Sequence, residues 1–223
     1  MKSHDNKTTL HGIMWIPEGP VLGIVQLVHG MIEYIDRYDA LARYLANKGL
    51  FVIGHDQLGH GDSVLSQEEW GFFDEDNGNK ILLDDIHQVR LRAQEKYPEA
   101  PYAIIGHSMG SFLVRQYLCL HGEGISATAI IGTGHMPAEI LRAGMFVASF
   151  LGTRKGWHYK SKLLKFMAFG SYNKRIKPLR TPCDWISRDE AIVDAYVTCP
   201  KTSFEFTVNG YYNLFYKGQA RNN

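Results

Sequence analysis

Residues 101–110 read PYAIIGHSMG, an apolar run followed by a serine that has glycine two positions away on either side. The apolar run predicts a buried strand, and apolar residues at helical spacing over 111–120 predict a helix directly after the serine. A turn this sharp leaves no room for side chains at Gly106 and Gly110, and it exposes the hydroxyl of Ser108. The pattern predicts a nucleophilic serine, and the alternative is a glycine-rich turn with an idle serine.

From the N-terminus to residue 134, short apolar runs alternate with amphipathic stretches. Such alternation is typical of a parallel sheet that is covered by helices. Strands are predicted at residues 10–16, 23–28, 50–55, 101–105 and 127–131, and helices at 34–48, 80–97 and 111–120. The predicted fold class is therefore α/β, with a mostly parallel sheet flanked by helices.

Beyond residue 134 this alternation stops. A basic amphipathic segment at 137–170 is followed by an irregular stretch that contains Pro178 and Pro182. An insertion at the carboxyl end of a strand lies above the crevice where open α/β sheets bind ligands, so we interpret it as a helical lid. The predicted division is a core at 1–134, a basic lid at 135–205 and a segment at 206–223 that returns to an incomplete core.

The charge of the chain is unevenly distributed, although the net charge is only +1. Residues 1–134 carry 10 basic and 17 acidic side chains, whereas residues 135–180 carry ten basic side chains and one acid, Glu139. A basic segment that also bears aromatic residues favours a surface facing anionic head groups or acidic substrates. Peripheral contact with an anionic membrane is therefore one prediction, and a solvated lysine-rich face is the alternative.

The composition is that of an ordinary globular protein with one substantial core, at 223 residues with 45% hydrophobic and 21% charged side chains. Residues 1–10 lack the apolar core of a signal peptide, and the longest apolar stretch, 143–152, is about half of a membrane span. The cysteines, at 119, 183 and 199, are odd in number and lack metal-ligand spacing, which fits a reducing cytoplasm. We expect a cytoplasmic protein without a metal, a cofactor or a nucleic-acid partner, and its oligomeric state stays open.

A loop after the first buried strand complements the serine. Residues 29–38 read HGMIEYIDRY, and the glycine at position 30 allows this loop to approach the site. An acyl-transfer serine enzyme needs two backbone N–H donors for the oxyanion, and Met31 and Met109 occupy the expected positions. His29 fits a role in orienting the loop better than a catalytic role.

A third loop follows the next strand and reads DQLGHGDS at residues 56–63. Two glycines bracket a histidine in this turn. Asp56 is predicted to cap the loop by accepting backbone N–H groups. We assign the loop a structural role.

The three patterns, His-Gly-x-x-Glu…Arg-Tyr, Asp-x-x-Gly-His-Gly-x-Ser and Gly-His-Ser-Met-Gly, resemble those of the α/β-hydrolase superfamily. Over residues 8–216 the chain is similar to the monoacylglycerol lipase and lysophospholipase group, also described as the serine aminopeptidase S33 type. The resemblance implies an α/β-hydrolase fold, with Ser108 as nucleophile and the N–H groups of Met31 and Met109 as oxyanion hole. It also implies a lid that shapes a pocket for an acyl chain. Candidate lid residues for that pocket are Trp157, Phe166 and Phe169.

In this superfamily a triad acid and a triad histidine follow two further core strands beyond the lid. We identify neither residue here, because the last histidine is His158 in the basic segment, and the two strands are missing from the pattern. His135, oriented by Glu139, is the alternative base. We expect a truncated copy, or an incomplete gene model, of an esterase, with an uncovered sheet edge and almost no activity of its own.

Three functional hypotheses follow from the sequence. The first is a serine hydrolase that cleaves small carboxylic esters of lipids through an acyl-enzyme on Ser108. The second is a non-catalytic remnant that binds lipid or a partner through its basic lid. The third is a peptidase or thioesterase on the same fold, which the sequence does not separate from the first.

Overall fold

A five-stranded sheet lies at the centre of the protein, in a computed structural model that describes residues 1–219. The strands are β1 (Gly12–Trp15), β2 (Gly23–Val28), β3 (Leu50–His55), β4 (Tyr102–His107) and β5 (Ile125–Ile131). Their order is β1-β3-β2-β4-β5, in which β1 runs antiparallel to β3 and the other neighbours are parallel. The apolar run of β2 is buried along its whole length, as expected for an internal parallel strand.

Eight α-helices connect and cover these strands within the described part of the chain. They are α1 (Asp39–Ala46), α2 (Gly78–Lys96), α3 (Met109–His121), α4 (Ala138–Lys155), α5 (Lys162–Phe169), α6 (Glu190–Thr198), α7 (Pro200–Ser203) and α8 (Val208–Gln219). Helix α1 contacts β1 and β3, whereas α2 and α3 contact β2 from the opposite face. Helices therefore lie on both faces of the sheet.

Successive residues of β2 point to opposite faces of the sheet. Ile24 and Val28 join the larger core, which includes residues of α2, α3 and α8. Val25 and Leu27 join a smaller core with residues of α1. Because β2, β3 and β4 are parallel neighbours, their carboxyl ends lie at the same edge of the sheet. The loops that follow these three strands meet there.

The predicted α/β architecture is confirmed, but the helix predicted at 34–48 is wrong in its first part. Ile35–Tyr38 form a short 3₁₀ turn, and α1 begins only at Asp39. The reason is tertiary, because the N–H group of Ile35 donates to the carboxylate of Asp56 at 2.7 Å. This bond, made to a residue after β3, replaces a regular first helical turn.

Helices α4 and α8 pack closely against each other. A Cβ atom at Gly144 of α4 would lie 2.8 Å from the ring of Phe215, so glycine permits this approach. Val208 and Tyr211 of α8 are buried in the larger core. The division at residues 134 and 205 stays a prediction, and residues 220–223 of the predicted return segment lie outside the described residues.

Strand β5 forms one edge of the sheet as described. It pairs with β4, and among residues 1–219 no strand pairs with its other side. Three consecutive residues of β5, at positions 126–128, are exposed. Within the same residues, no helix is long and apolar enough to span a membrane.

Candidate active site

Ser108 occupies the sharp turn between β4 and α3. Its backbone angles are φ 50° and ψ −118°, a conformation that costs a residue other than glycine about 1–3 kcal/mol. Two contacts hold it there: the Ser108 N–H donates to the Ile131 carbonyl at 2.9 Å, and the Ser111 hydroxyl donates to the Ser108 carbonyl at 2.6 Å. The strained turn is thus fixed by both β5 and α3.

The two glycines of the motif are required by the space around them. A Cβ atom at Gly106 would lie 2.6 Å from the carbonyl oxygen of Gly110. A Cβ atom at Gly110 would lie only 2.2 Å from the carbonyl oxygen of Val28. The steric requirement predicted from the sequence is therefore confirmed.

The loop that follows β2 lies directly against the serine. A Cβ atom at Gly30 would lie 3.0 Å from the Cβ of Ser108, so only glycine allows this approach. Met31, Ser108 and Met109 line the same cavity, which has a volume of about 210 Å³. The structure thus brings together the three residues predicted for the nucleophile and the oxyanion hole.

Ile32, the next residue of this loop, has a strained backbone. Its φ is +57°, in the left-handed region that β-branched residues rarely adopt. Its carbonyl oxygen accepts a hydrogen bond of 2.8 Å from the hydroxyl of Tyr196 in α6. The sequence pattern did not indicate either residue, because a left-handed conformation leaves a clear signal only where glycine adopts it.

The buried carboxylate of Glu33 organises the loop. One carboxylate oxygen accepts hydrogen bonds from the Gly30 N–H, from the Tyr38 hydroxyl at 2.9 Å and from Nδ1 of His107 at 3.0 Å. The other oxygen accepts a hydrogen bond from Arg37 at 3.0 Å. Glu33 therefore ties the loop after β2 to the last residue of β4, next to the serine.

The environment shifts the pKa of both members of the Glu33–His107 pair. Burial alone would raise the pKa of Glu33, but the hydrogen bond from His107 and the nearby His29 and Arg37 outweigh burial and lower it. The hydrogen bond to Glu33 raises the pKa of His107, against the opposing effect of burial. Each partner therefore favours the charged form of the other.

His29 and Asp56 link this loop to the loop after β3. Nδ1 of His29 donates to the Gly30 carbonyl at 2.8 Å, and its Nε2 accepts the Gln57 N–H at 2.8 Å. Asp56 accepts the N–H groups of Ile35 at 2.7 Å and Asp62 at 2.8 Å. The capping role predicted for Asp56 is confirmed, and His29 makes contacts that orient the loop.

One group of side chains among residues 1–219 has ligand atoms close enough to hold a metal ion. It consists of His11, Asp56 and Asp62, whose ligand atoms lie within 4.8 Å of one another. The carboxylate of Asp56 is already occupied by two N–H groups, and Asp62 pairs with Lys201 at 2.5 Å. These contacts give the carboxylates a structural task without an ion.

The sequence profile of the family described as serine aminopeptidase, S33 matches residues 19–221, which is most of the chain. The chain belongs to the S33 family. The resemblance to α/β-hydrolases of the monoacylglycerol lipase type, predicted from the three motifs, is thereby confirmed.

Named relatives of this S33 chain include a monoglyceride lipase and a monoglyceride lipase homolog. The human (Homo sapiens) monoglyceride lipase is 26% identical over 194 residues, which cover 83% of this chain and 54% of that protein. A monoglyceride lipase homolog of monkeypox virus is 27% identical over 148 residues, which cover 62% of this chain and 48% of that protein. The chain thus spans about half the length of these curated relatives.

Solved structures agree with the S33 assignment. A highly thermostable carboxyl esterase from Bacillus coagulans, solved in complex with glycerol, matches with a TM-score of 0.89 and 28% identity. The match covers 98% of this chain and 71% of the esterase. The α/β-hydrolase fold predicted from the sequence is therefore confirmed.

The cavity beside Ser108 in this S33 chain is mainly apolar. Besides the three residues named above, its lining residues are Phe112, Gly132, Thr133, Gly134, His135, Met136, Ala168, Phe169, Tyr172, Leu214 and Phe215. None of these described lining residues is Asp, Glu, Lys or Arg. The cavity thus suits an uncharged, largely apolar group.

The structure brings one of the three candidate lid residues to this cavity. Phe169 lines it, at the end of α5. Phe166 is 68% exposed, because it lies one turn earlier on the solvent side of the same helix. Trp157 packs instead on Gly152 of α4 and on the ring of Tyr212 in α8.

His135 also lines the Ser108 cavity of the S33 chain. Within residues 1–219, the structure shows no hydrogen bond or ion pair between His135 and Glu139, its predicted orienting acid. His107 precedes the nucleophile, and its Nδ1 is engaged by Glu33. Of these two histidines, only His135 faces the cavity that contains the serine.

Proposed function

We propose that this S33 chain carries the nucleophile of a serine hydrolase that cleaves carboxylic esters of lipids. The observation that supports it best is the strained Ser108 in an apolar cavity, in contact with the loop that bears Met31. In the proposed reaction Ser108 Oγ attacks the ester carbonyl and expels the alcohol, leaving an acyl-enzyme that water then hydrolyses. The N–H groups of Met31 and Met109 stabilise the oxyanion.

The reaction needs a base that takes the proton from Ser108 Oγ. We identify no triad acid or triad histidine in the sequence, and His135 is the histidine that lines the cavity. A serine without an oriented base reacts slowly, since loss of triad members costs on the order of 10⁴ to 10⁶ in rate. We therefore propose that turnover by the 223-residue chain is slow.

The substrate that best fits the cavity is a small lipid ester. The described lining has no acidic side chain to recognise the free amine of a peptide, and its apolar surface suits an acyl chain. Two named relatives are a monoglyceride lipase and a monoglyceride lipase homolog, and the esterase from Bacillus coagulans was solved with glycerol. These observations favour a glycerol ester of a fatty acid over a peptide substrate.

We also propose that the lid contacts anionic membranes from the cytoplasmic side. Phe146 of α4 is 73% exposed and Phe166 of α5 is 68% exposed, in a segment with ten basic side chains. Exposed aromatic rings beside basic residues are typical of surfaces that lie on anionic lipid. The cytoplasmic location rests on three cysteines that are all unpaired.

A fluorophosphonate probe tests the nucleophile directly. We expect slow but stoichiometric labelling of Ser108, located by peptide mapping, and none in Ser108→Ala. The matched control is Ser171→Ala, which removes an exposed serine of the lid and should leave labelling unchanged. A chain that stays unlabelled would contradict the proposal and favour a non-catalytic remnant.

The substrate class is tested separately with the same protein. Hydrolysis of p-nitrophenyl esters and of a monoacylglycerol is compared with hydrolysis of a thioester and of a peptide amide. We expect the esters to react fastest, and all rates to vanish in Ser108→Ala. Faster peptide cleavage would indicate a peptidase instead.

A further inference from the structure

The loop that carries the Met31 N–H is held in a strained shape by a residue of the region after β5. Ile32 has a φ of +57°, and its carbonyl oxygen accepts the Tyr196 hydroxyl at 2.8 Å. We infer that Tyr196 is a positioning residue, which keeps Ile32 left-handed and so directs the Met31 N–H towards Ser108. This inference rests on the proposed function, because it assigns Met31 N–H to the oxyanion.

Several contacts hold Tyr196 in a fixed position beside the loop. Tyr196 is 9% exposed, and its ring lies beneath the guanidinium of Arg37, whose Cζ is 4.9 Å from the ring centre. Arg37 in turn pairs with Glu33, which holds the Gly30 N–H. The loop is therefore held by Glu33 at the Gly30 N–H and by Tyr196 at the Ile32 carbonyl.

The helix that carries Tyr196 is itself held by contacts with neighbouring segments. The hydroxyl of Thr202 donates to the Tyr196 carbonyl at 2.6 Å, which closes the junction of α6 and α7. Asp194, two residues before Tyr196 on α6, forms an ion pair with Arg180. Arg180 lies in the irregular stretch between α5 and α6, so this pair joins that stretch to α6. Lys201 pairs with Asp62 of the loop after β3. These contacts fix α6 and α7 next to the loop, and they keep the Tyr196 hydroxyl within reach of the Ile32 carbonyl.

A strained backbone persists only where its surroundings determine it. Without the Tyr196 hydroxyl, the Ile32 carbonyl is free to rotate towards solvent, and the left-handed conformation of Ile32 is released. The Met31–Ile32 peptide that precedes it then turns, and it carries with it the adjoining Gly30–Met31 peptide, which contains the Met31 N–H. The oxyanion donor therefore depends on α6 lying in place. A shift of α6 would change the reactivity of Ser108 although no residue of α6 touches the serine.

The test removes one hydroxyl and follows the loop directly. Tyr196→Phe keeps the ring under Arg37, and we expect amide hydrogen exchange in residues 29–34 to rise about fivefold, the effect of one lost hydrogen bond. The rate of fluorophosphonate labelling of Ser108 should fall by about the same factor. The control Tyr102→Phe also removes a buried hydroxyl contact, to Gln26, but should change neither quantity.

A second substitution distinguishes positioning from general stability. Asparagine adopts the left-handed region far more readily than isoleucine. Ile32→Asn in the Tyr196→Phe background should therefore restore both the exchange protection and the labelling rate. If Tyr196→Phe only destabilised the fold, a substitution at Ile32 would not restore these two quantities.

The outcomes distinguish the positioning role of Tyr196 from the proposed hydrolase function. Exchange in residues 29–34 that is the same in Tyr196→Phe as in Tyr102→Phe would overturn the inference. Increased exchange that Ile32→Asn does not reverse would overturn it as well. Increased exchange that is reversed, in a chain whose Ser108 never labels, would support the positioning role and contradict the proposed hydrolase.

Discussion

At the scale of single residues, the site depends on one buried carboxylate. Glu33 accepts hydrogen bonds from Gly30, Tyr38, His107 and Arg37, and so joins the loop after β2 to the residue before the nucleophile. A carboxylate has only acceptor atoms, and here it meets only donors. This match explains why a charged group is tolerated in a buried position beside the catalytic serine candidate.

The Glu33–His107 pair predicts a pH dependence of stability. The folded-state pKa of His107 is raised, so its stabilising effect is fully present below its ordinary value of about 6.5 and is lost as pH rises through the raised pKa. The pKa of Glu33 is lowered, so its effect is present above its ordinary value of about 4.3 and is lost as pH falls through the lowered pKa. The pair stabilises the fold most between these limits.

The substitution His107→Gln tests this dependence. We expect it to reduce the free energy of unfolding more at about pH 5.5 than at about pH 9, measured by urea denaturation. In a Glu33→Gln background the pH dependence of this effect should disappear, because the partner charge is gone. An equal loss at both pH values in the wild-type background would show that the pair contributes no pH-dependent stability.

At the scale of elements, the nucleophile depends on how closely α3 approaches β2. Gly110, in the first turn of α3, lies against the carbonyl oxygens of Val28 and His29 at the end of β2. The helix therefore begins in contact with the neighbouring strand, and its first turn has no space for a side chain. The serine stays partly exposed because the helix after it packs closely against the sheet.

Gly110→Ala should therefore be strongly destabilising. The new Cβ would lie 2.2 Å from the Val28 carbonyl oxygen, and such overpacking costs about 3 kcal/mol of unfolding free energy. Gly19→Ala is the control, because a Cβ there meets nothing within 4 Å. Urea denaturation of both variants checks the prediction, and a loss in Gly110→Ala no larger than in Gly19→Ala would refute it.

Helices α4 and α5, which we propose as part of a lid, allow a second prediction at this scale. The double substitution Phe146→Ser and Phe166→Ser should weaken binding to vesicles containing anionic lipid by at least about tenfold, since each ring buries apolar surface on contact. Leu120→Ser is the control, because Leu120 is 65% exposed but lies on α3. Sedimentation with vesicles measures the effect. Equal binding of all variants to anionic and zwitterionic vesicles would contradict a lid-mediated contact.

At the scale of the whole molecule, the sheet as described has an exposed edge at β5. Residues 126–128 are exposed, and the strand is composed mainly of β-branched and small apolar residues. Open edges of this kind pair with other chains. We therefore expect the 223-residue chain to self-associate in a concentration-dependent manner.

Thr128→Lys should reduce this association, because a charge on an edge strand opposes pairing with a second strand. Thr153→Lys adds the same charge at an exposed position of α4 and serves as the control. Light scattering over a concentration series measures both variants. If Thr153→Lys suppresses association as well as Thr128→Lys does, net charge and not the β5 edge is responsible.

Local sequence was sufficient to predict the strands and the elbow. The strands are short, mainly apolar runs, and the turn at Ser108 needs glycine at two positions, so both leave patterns that are readable along the chain. The same holds for Gly30 and for the capping carboxylate of Asp56. Each of these features restricts the residue type at its own position, because only glycine fits where backbone atoms leave no room for a Cβ and a carboxylate suits a place where N–H groups must be accepted.

Only the tertiary structure decided how the site is held. Glu33 meets His107 across 74 positions of sequence, and Tyr196 reaches Ile32 across 164. Such contacts need no particular residue type at either end, because many side chains can donate or accept a hydrogen bond. The same reason explains Phe169 and Phe166, which are equivalent by type, although only the packing of α5 turns Phe169 towards the serine.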